Sequence, residues 1–468
     1  MNAILLGLLL YVALITAVGL AIGRRVSGTR DFFVAGRALG PGLLFATLLA
    51  ANIGAGSTVG AAGLGYENGI ASWWWVGSAG IGTLILALWL GPRMWRVAKE
   101  HSLRTVGDYL EHRYGPSVRA SMAALLWLGT LAILAGQLIA MAWILEVVAG
   151  APRWLGAVAG GVVMTVYFVA GGLLSSAWVN LVQLVVLVCG FLIAVPLAVE
   201  GAGGVSAVLA SARATPGHLD FMSNGGSGWM YLILLAPAFI VSPGILQKTF
   251  GARDVRTVRL GLSACGIALI LFAALPPILG IVAHTVAPGL ADPETALPVI
   301  LTQGVPPWVG LLGLAAVLSA EISSADAILF MLSTSLSKDL YKRFVNPGAS
   351  DRRVLRVARA AAVLGGVSGV LLAVMIPSVV DALVIFYSLM GVSLFVPVVA
   401  GLHSRRPGSL EALAAAAAGV VALLVARQWW DDSGWMVPPA WGLLSAAAAF
   451  GVFHVGRRLA GRAHKRGG

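Results

Sequence analysis

The sequence predicts an all-α polytopic membrane protein with about 13 transmembrane helices. Three observations support this fold class. The chain has 468 residues, of which 59% are hydrophobic and only 11% charged, and its mean hydropathy is +0.91. Apolar stretches of about 20 residues, the length that a helix needs to cross a bilayer, recur along the chain. Lys and Arg gather in alternate connections between these stretches, as they do in membrane proteins.

The predicted spans follow the apolar stretches in chain order. An outer-membrane barrel would instead show alternating segments of about 10 residues, which this sequence lacks. The spans 154–171 and 173–199 are separated only by the sequence AGGLLSS. The predicted spans are roughly 3–23, 38–65, 70–92, 118–149, 154–171, 173–199, 228–249, 258–286, 307–338, 357–376, 379–402, 409–427 and 437–459.

The basic residues predict the orientation of the chain. If the N-terminus is outside, 28 of the 31 Lys and Arg residues fall in cytoplasmic segments. We therefore expect a multi-pass protein of the cell (inner) membrane with a cytoplasmic C-terminus. The net charge of +12 then reflects topology and contact with anionic lipids, and it gives no reason to expect a nucleic-acid partner. No obligate protein partner is evident either.

Two of the predicted spans contain sequences that disrupt helices. The second span contains AANIGAGSTVGAAGLG, and the seventh contains AFIVSPGILQK. Glycine weakens a helix and proline removes a backbone donor, so both spans are expected to be broken. Breaks in corresponding spans five helices apart indicate a 5+5 inverted repeat with a binding site near the bilayer midplane. Alternatively, the glycines serve close helix packing and Pro243 only kinks its helix.

This repeat divides the chain into four predicted parts. Residues 1–37 form an extra N-terminal transmembrane helix and a cytoplasmic loop. Residues 38–200 hold core helices 1–5, and residues 201–402 hold core helices 6–10. Residues 403–468 hold two C-terminal transmembrane helices and a basic cytoplasmic tail.

The ninth span contains LSAEISSADA, in which Glu321 and Asp326 are the only carboxylates placed deep in a predicted span. A charged side chain at that depth costs about 2.5–3.5 kcal/mol, so an ion or substrate path is the default interpretation. Ala320, Ser323 and Ser324 share one helix face and offer three oxygens to a hard cation such as Na+. The remaining ligands would be carbonyl groups freed in the second span. Alternatively, the serines hydrogen-bond within their own helix or to a neighbouring one.

Several motifs resemble those of the sodium:solute symporter family, which has the LeuT-type fold. They are DFFVAGRALG, GGLLSSAWVNLVQ, GILQKTFGARD and LSAEISSADAILFMLSTSLSKDLYK. The resemblance extends over most of the chain and implies broken first and sixth core helices. It also implies a sodium site formed by two carbonyls of the first core helix with a carbonyl and two hydroxyls of the eighth. The matching residues are Ala50, Ile53, Ala320, Ser323 and Ser324.

The same resemblance places an organic substrate beside the breaks. The positions on the first three core helices and at the sixth-helix break that match the family's substrate site are Asn52, Gly54, Ser57, Trp75, Val76, Ser78, Gln137 and Ser242. Gln137 could equally be an amide that only packs.

One position departs from the family pattern. Many members carry an aspartate where this chain has Asn180, and in some of them that aspartate belongs to a second sodium site. One hypothesis is that the anionic ligand has moved to Asp326, which would then bind a second Na+ or exchange a proton. The alternative is that Asp326 seals a contact with Asn180. Glu321 is a further candidate for a proton site or for pairing with a cationic substrate group; alternatively, it faces polar groups on a neighbouring helix.

These observations predict a secondary-active symporter that couples inward Na+ movement to uptake of a small organic solute by alternating access. The alternatives are a proton-coupled carrier that uses Asp326 or Glu321, and a transport-fold sensor that acts through a separate partner. We do not expect an enzyme, because no catalytic dyad, metal-ligand cluster or phosphate loop stands out. Two deep carboxylates make a cationic or amine-bearing solute worth testing.

Overall fold

The computed structural model describes residues 3–23, 39–222, 228–404, 407–429 and 437–464. Apart from one isolated backbone bridge, the regular structure of these residues is entirely helical, so the predicted all-α fold class is confirmed. The predicted loop 24–37, the basic pair 405–406 and the last residues of the basic tail lie outside the described residues.

Short 3₁₀ or π turns connect several of the helices. The α-helices of the described residues are α1 Ala3–Gly23, α2 Pro41–Asn52, α3 Val59–Asn68, α4 Trp73–Ile85, α5 Gly91–Glu100, α6 Val106–Tyr114, α7 Pro116–Ala149, α8 Arg153–Gly201, α9 Gly204–Ala214, α10 Tyr231–Val241, α11 Pro243–Phe250, α12 Val255–Phe272, α13 Leu275–Val286, α14 Ala296–Gln303, α15 Pro307–Thr334, α16 Asp351–Met375, α17 Val379–His403, α18 Ser409–Trp429 and α19 Pro438–His464.

Both predicted breaks are present. Helix α2 ends where Ile53 turns to extended backbone (φ −97°, ψ 109°), and the chain resumes a helix only at Val59, after a 3₁₀ turn. Helices α10 and α11 are separated by Ser242 (φ −52°, ψ 119°), which is followed by Pro243. Each break therefore frees backbone groups in the interior, as unwound membrane helices do where protein or a cavity can satisfy them.

The predicted boundary between spans 154–171 and 173–199 does not interrupt the helix, because Arg153–Gly201 is one continuous helical segment. Its two ends nevertheless lie on the same side of the molecule. Arg153 donates to the carbonyl of Pro377, and Gly201 packs against Gly304. Pro377 lies just after α16 and Gly304 just before α15, two helices that pack against each other and are joined at their other ends by residues 335–350, so both contacts lie on one side. The two ends of the segment therefore face one side of the molecule, and its division into two crossings stays a prediction.

Ten helical segments of the described residues are long and apolar enough to cross a membrane. Three shorter apolar helices, Ala3–Val18, Pro41–Asn52 and Arg153–Val166, also fall within predicted spans. The chain is therefore a multi-pass membrane protein. The count of 13 crossings and its division into four parts stay predictions.

Helix α15 forms the centre of the molecule. It packs against α2, α7, α8 and α16, and its residues from Gly313 to Ala325 are all buried. Its small residues allow close approach, as in other membrane helix packings. Gly190 of α8, for example, faces the carbonyl of Leu312. This packing brings the serine cluster of α15 against the broken end of α2.

A short backbone bridge joins the segments next to the two broken helices. The N–H group of Leu39 donates to Gly251 (3.2 Å), and the N–H group of Arg253 donates to Leu39 (3.3 Å). Leu39 precedes α2, and Gly251 follows α11. The bridge therefore links the start of one broken helix to the end of the other.

A buried carboxylate organises the side of the molecule where α17 begins. Glu294 accepts hydrogen bonds from the N–H groups of Val379 (2.9 Å) and Val380 (3.0 Å) and from Trp143 Nε1 (3.1 Å). The first N–H groups of a helix have no partners within it, so Glu294 supplies acceptors for the N-terminus of α17. Burial raises the pKa of Glu294 to about 7.

An ion-pair cluster lies on the opposite, predicted cytoplasmic side. The guanidinium of Arg119 contacts Asp108 (3.0 Å), Glu111 (2.8 Å) and Asp339 (2.6 Å). Glu111 also pairs with the more exposed Arg343. The cluster fastens the short helix α6 to the start of α7 and to the π turn Ser335–Val345 that extends α15.

Candidate functional site

The break in α2 lies directly against the serine pair of α15. The Ser323 hydroxyl donates to the carbonyl of Ala50 (2.8 Å) or of Ala320 (3.1 Å). The Ser324 hydroxyl lies 2.9 Å from the carbonyl oxygen of Ile53. All five predicted sodium ligands therefore come together, and we call this set the cation site: Ala50, Ile53, Ala320, Ser323 and Ser324.

The chemistry of the cation site suits a hard monovalent cation. It offers three carbonyl and two hydroxyl oxygens, and every one of its residues is buried. Oxygen ligands are those that hard cations prefer. Each serine hydroxyl has lone pairs as well as one hydrogen, so it can turn its hydrogen outward and accept a cation. Since all five oxygens are neutral, the set would leave the single charge of a bound Na+ largely uncompensated by its ligands.

A cavity of about 60 Å³ lies beside the cation site. Five of the eight predicted substrate residues line it: Asn52, Gly54, Ser57, Gln137 and Ser242. Ser324 lines it too, so the cation site and the cavity share a side chain. We call it the solute cavity. Its remaining lining is largely apolar and includes Leu48, Ile133, Phe239, Ile328, Met331, Leu383, Phe386 and Tyr387.

Three predicted substrate residues on α4 do not line the solute cavity. Trp75 instead donates from Nε1 to the carbonyl of Gly56 (2.8 Å) and packs against the ring of Tyr231. Val76 and Ser78 are buried in the helix packing. Helix α4 thus lies behind the unwound segment as seen from the cavity. Trp75 donates a hydrogen bond to a carbonyl group of that segment.

Gln137 has a specific contact with the break. Its Oε1 accepts a hydrogen bond from the N–H group of Ala55 (2.9 Å), which the unwinding of α2 has freed. A β-carbon on Gly54 would lie 2.6 Å from the same oxygen. The position therefore requires glycine, and Gln137 serves the unwound backbone as well as the cavity wall.

Glu321 lies behind the unwound segment rather than in the solute cavity. The hydroxyl of Thr58 donates to its Oε1 at 2.9 Å, and the side chain is fully buried. Thr58 is the residue before α3, so the carboxyl group lies near the N-terminus of that helix. An acidic group is favourable there because the helix dipole is positive at that end.

Asn180 and Asp326 are both buried, and neither lines the solute cavity. The shift of an anionic ligand from position 180 to position 326 stays a prediction, as do the proton roles suggested for Asp326 and Glu321.

Lys248 is a cavity-lining residue that sequence reasoning missed. The charge count assigned it to a cytoplasmic segment, but it lines the solute cavity, half-buried, with Nζ donating to the carbonyl of Thr47 (2.9 Å). A sequence signal was available. Lys248 lies four residues after Gly244, so on a helix that starts at Pro243 it shares the face of Gly244 at the break.

Comparison with known proteins gives consistent results. The family described as "Sodium:solute symporter family" matches residues 32–419. A sodium/glucose cotransporter of Vibrio parahaemolyticus is 28% identical over 415 residues, which cover 80% of this chain and 75% of that protein. A sodium/pantothenate symporter of Escherichia coli (strain K12) is 26% identical over 438 residues, covering 88% of each chain.

A solved structure shares the fold. The outward-open, substrate-bound state of a Na+-coupled sialic acid symporter superposes with a TM-score of 0.79 and 18% identity. The match covers 96% of this chain and 97% of the other.

Proposed function

The chain belongs to the sodium:solute symporter family, and from that membership we propose where its coupling ion and its solute bind. It is a Na+-coupled symporter that takes up a small organic solute. We propose that Na+ binds at the cation site and the solute in the adjacent solute cavity. The observation that carries the proposal is the meeting of the Ser323 and Ser324 hydroxyls with the carbonyls of Ala50 and Ile53.

The position of this site gives Na+ a mechanical role. Two of its oxygens lie on α2 and three on α15, so a bound ion would hold the two helices together. An ion can shift a conformational equilibrium only by binding one state more tightly than the other. Na+ at this site would therefore favour the state in which α2 and α15 are close. Ser324 also lines the solute cavity, so a bound solute would lie beside a side chain that binds Na+.

Other features of the proposed function come from sequence. We infer that the protein resides in the inner membrane with its N-terminus outside and its C-terminus in the cytoplasm. We also infer that the four predicted parts of the chain correspond to an added helix, two repeats and two final helices. The relatives are named for glucose and for pantothenate, so family membership leaves the solute open.

Thermal unfolding of the purified protein tests the cation site. Tryptophan fluorescence would be followed in Na+ and in choline at matched ionic strength, from pH 5.5 to 8.5. We expect Na+ to raise the unfolding temperature of the wild type, because a ligand that binds only the folded state stabilises it. Ser323→Ala and Ser324→Ala should lose this response.

A matched control is available on the same helix. Ser333 is buried in α15 away from the cation site, so Ser333→Ala should respond to Na+ like the wild type. If the wild type were indifferent to Na+ at every pH, or if Ser323→Ala kept the full response, the proposed site would be wrong.

A further inference from the structure

The solute cavity is lined by a charged residue that was not predicted there from the sequence. Among the described residues that line it, Lys248 alone is charged. The two deep carboxylates that suggested a cationic solute, Glu321 and Asp326, lie outside the lining. A cationic solute would therefore meet an ammonium group and no carboxylate in this cavity.

The ammonium group lies on the helix that starts at the second break. Pro243 has no N–H group, and the first hydrogen bond back into the break runs from Leu246 to the carbonyl of Ser242 (2.9 Å). Gly244 and Ile245, which precede Leu246, line the cavity together with Lys248. The N-terminus of α11 is thus at the cavity wall, and its dipole and N–H groups favour an anion there. The dipole and the lysine favour the same sign of ligand charge.

The rest of the cavity is suited to an uncharged group. Phe239 and Tyr387 have ring centroids 5.3 Å apart, and Phe386 and Tyr387 have centroids 5.2 Å apart. All three rings line the cavity. Asn52 and Gln137 add amide groups for hydroxyl or carbonyl oxygens. A solute that fits would be small, with an anionic end and a weakly polar or apolar remainder.

The number of charged side chains that line the cavity bears on the charge of the solute. Among the described lining residues, Lys248 supplies one positive charge, which offsets a single carboxylate; a second negative charge on the solute would have to be offset by Na+ at the adjacent cation site. Lys248 already donates to the carbonyl of Thr47 (2.9 Å), so its ammonium group is positioned before any solute arrives. Preorganisation of this kind improves affinity because less side-chain freedom is lost on binding.

We propose that the solute is a small monocarboxylate whose carboxylate group binds between Lys248 and the N-terminus of α11. This inference rests on the proposed function, since it takes the solute cavity as the transport site. It makes Lys248 a specificity-determining residue, and it reverses the charge that the two deep carboxylates suggested for the solute.

The test uses the full-length protein in saturating Na+ at pH 7.5. Two- to six-carbon monocarboxylates, including hydroxy and keto acids, would be compared with their own amides and with amines of the same carbon skeleton. Total Na+ would be held constant, and unfolding temperature would report binding. We expect at least one carboxylate to stabilise the protein while its amide and amine do not.

Lys248 variants identify the binding group. Lys248→Met should raise the half-saturating carboxylate concentration about tenfold or more, as expected for loss of a hydrogen bond to a charged group. Lys248→Arg should recover part of the affinity, and this recovery guards against a general folding defect in Lys248→Met. Lys342 is a partly exposed lysine outside the cavity lining. Lys342→Met should behave like the wild type.

The outcomes separate this inference from the proposed function. Stabilisation by amides or amines instead, by no carboxylate of the set, or equally in wild type and Lys248→Met would overturn the inference. The Na+ response of the same samples is read independently. If Na+ still stabilises the wild type and fails to stabilise Ser323→Ala, the symporter site stands while the carboxylate assignment falls.

Discussion

Gly54 lies so close to Ser324 that a single methyl group on its α-carbon would overlap the serine hydroxyl. The two residues lie on different helices, one in the break of α2 and the other on α15. Their contact exists only because position 54 has no side chain. Gly54 therefore sets the distance between the unwound backbone and the cation site.

Gly54→Ala should abolish the Na+-dependent rise in unfolding temperature and reduce Na+-driven uptake at least about tenfold, because α2 and α15 would be pushed apart at the proposed ligands. Gly42→Ala is the matched control on the same helix, since a β-carbon there meets no atom within 4 Å. Full Na+ response in Gly54→Ala would show that the cation site tolerates a wider spacing than we infer.

Thr58 and Glu321 should prove energetically coupled. Thr58→Val removes the donor and leaves a buried carboxyl oxygen without it, which costs about 1–3 kcal/mol. Glu321→Leu removes the acceptor, and the double variant removes both. We expect a coupling free energy of roughly 0.5–3 kcal/mol from a double-mutant cycle on unfolding. Strictly additive effects would mean that their 2.9 Å hydrogen bond contributes nothing to stability.

Glu294 should make stability depend on pH. Burial raises its pKa from 4.5 to about 7, so the folded protein keeps a proton that the unfolded chain releases at lower pH. Its contribution to the free energy of unfolding is then greatest below about pH 4.5 and falls as pH rises to about 7. The loss is on the order of 3 kcal/mol over this range.

The test for Glu294 is the difference in unfolding temperature between wild type and Glu294→Gln, measured from pH 4.5 to 8. We expect the wild type to lose stability relative to Glu294→Gln as pH rises, since the amide resembles the protonated carboxyl group and does not titrate. Asp220 is an exposed carboxylate elsewhere, and Asp220→Asn should track the wild type at every pH. A difference that stays constant with pH would mean that Glu294 ionises near its ordinary pKa.

Arg119 and Arg343 should contribute unequally to stability although both contact Glu111. Arg119 is 9% exposed in its side chain and contacts three carboxylates, whereas Arg343 is 46% exposed. Removing one member of a buried ion-pair cluster costs about 3–5 kcal/mol. Exposed pairs contribute about 0–1 kcal/mol. Arg119→Met should therefore lower the unfolding temperature much more than Arg343→Met, and equal effects would contradict the burial argument.

The sequence was sufficient for the fold class and for naming most residues that meet at the candidate site, because both depend on patterns read along the chain. Apolar stretches of fixed length report membrane helices, and Ser242-Pro243-Gly244 reports a break directly. The pairing of Ser323 and Ser324 with α2 followed from helix periodicity and from family resemblance. Apolar stretches, break motifs, helix periodicity and family motifs are all read along the chain, so they require no knowledge of tertiary packing.

Other features depended on packing that sequence does not encode locally. Lys248 was counted with the cytoplasmic residues because distance along the chain to a span end says nothing about the direction of a side chain. Trp75 matched a substrate position, but its indole reaches the carbonyl of Gly56 rather than the cavity. The sequence predicted a boundary between two spans within Arg153–Gly201, but this segment is helical throughout.

The backbone bridge at Leu39 has a consequence for how the transport cycle stays coupled. Two hydrogen bonds tie the entrance of α2, which carries two proposed ion ligands, to the exit of α11, which carries Lys248. Because these two hydrogen bonds connect the helices, we expect a tilt of one helix to be transmitted to the other. The cation site and the solute cavity would then open together. Uncoupled movement of Na+ without solute would require these two backbone hydrogen bonds to break first.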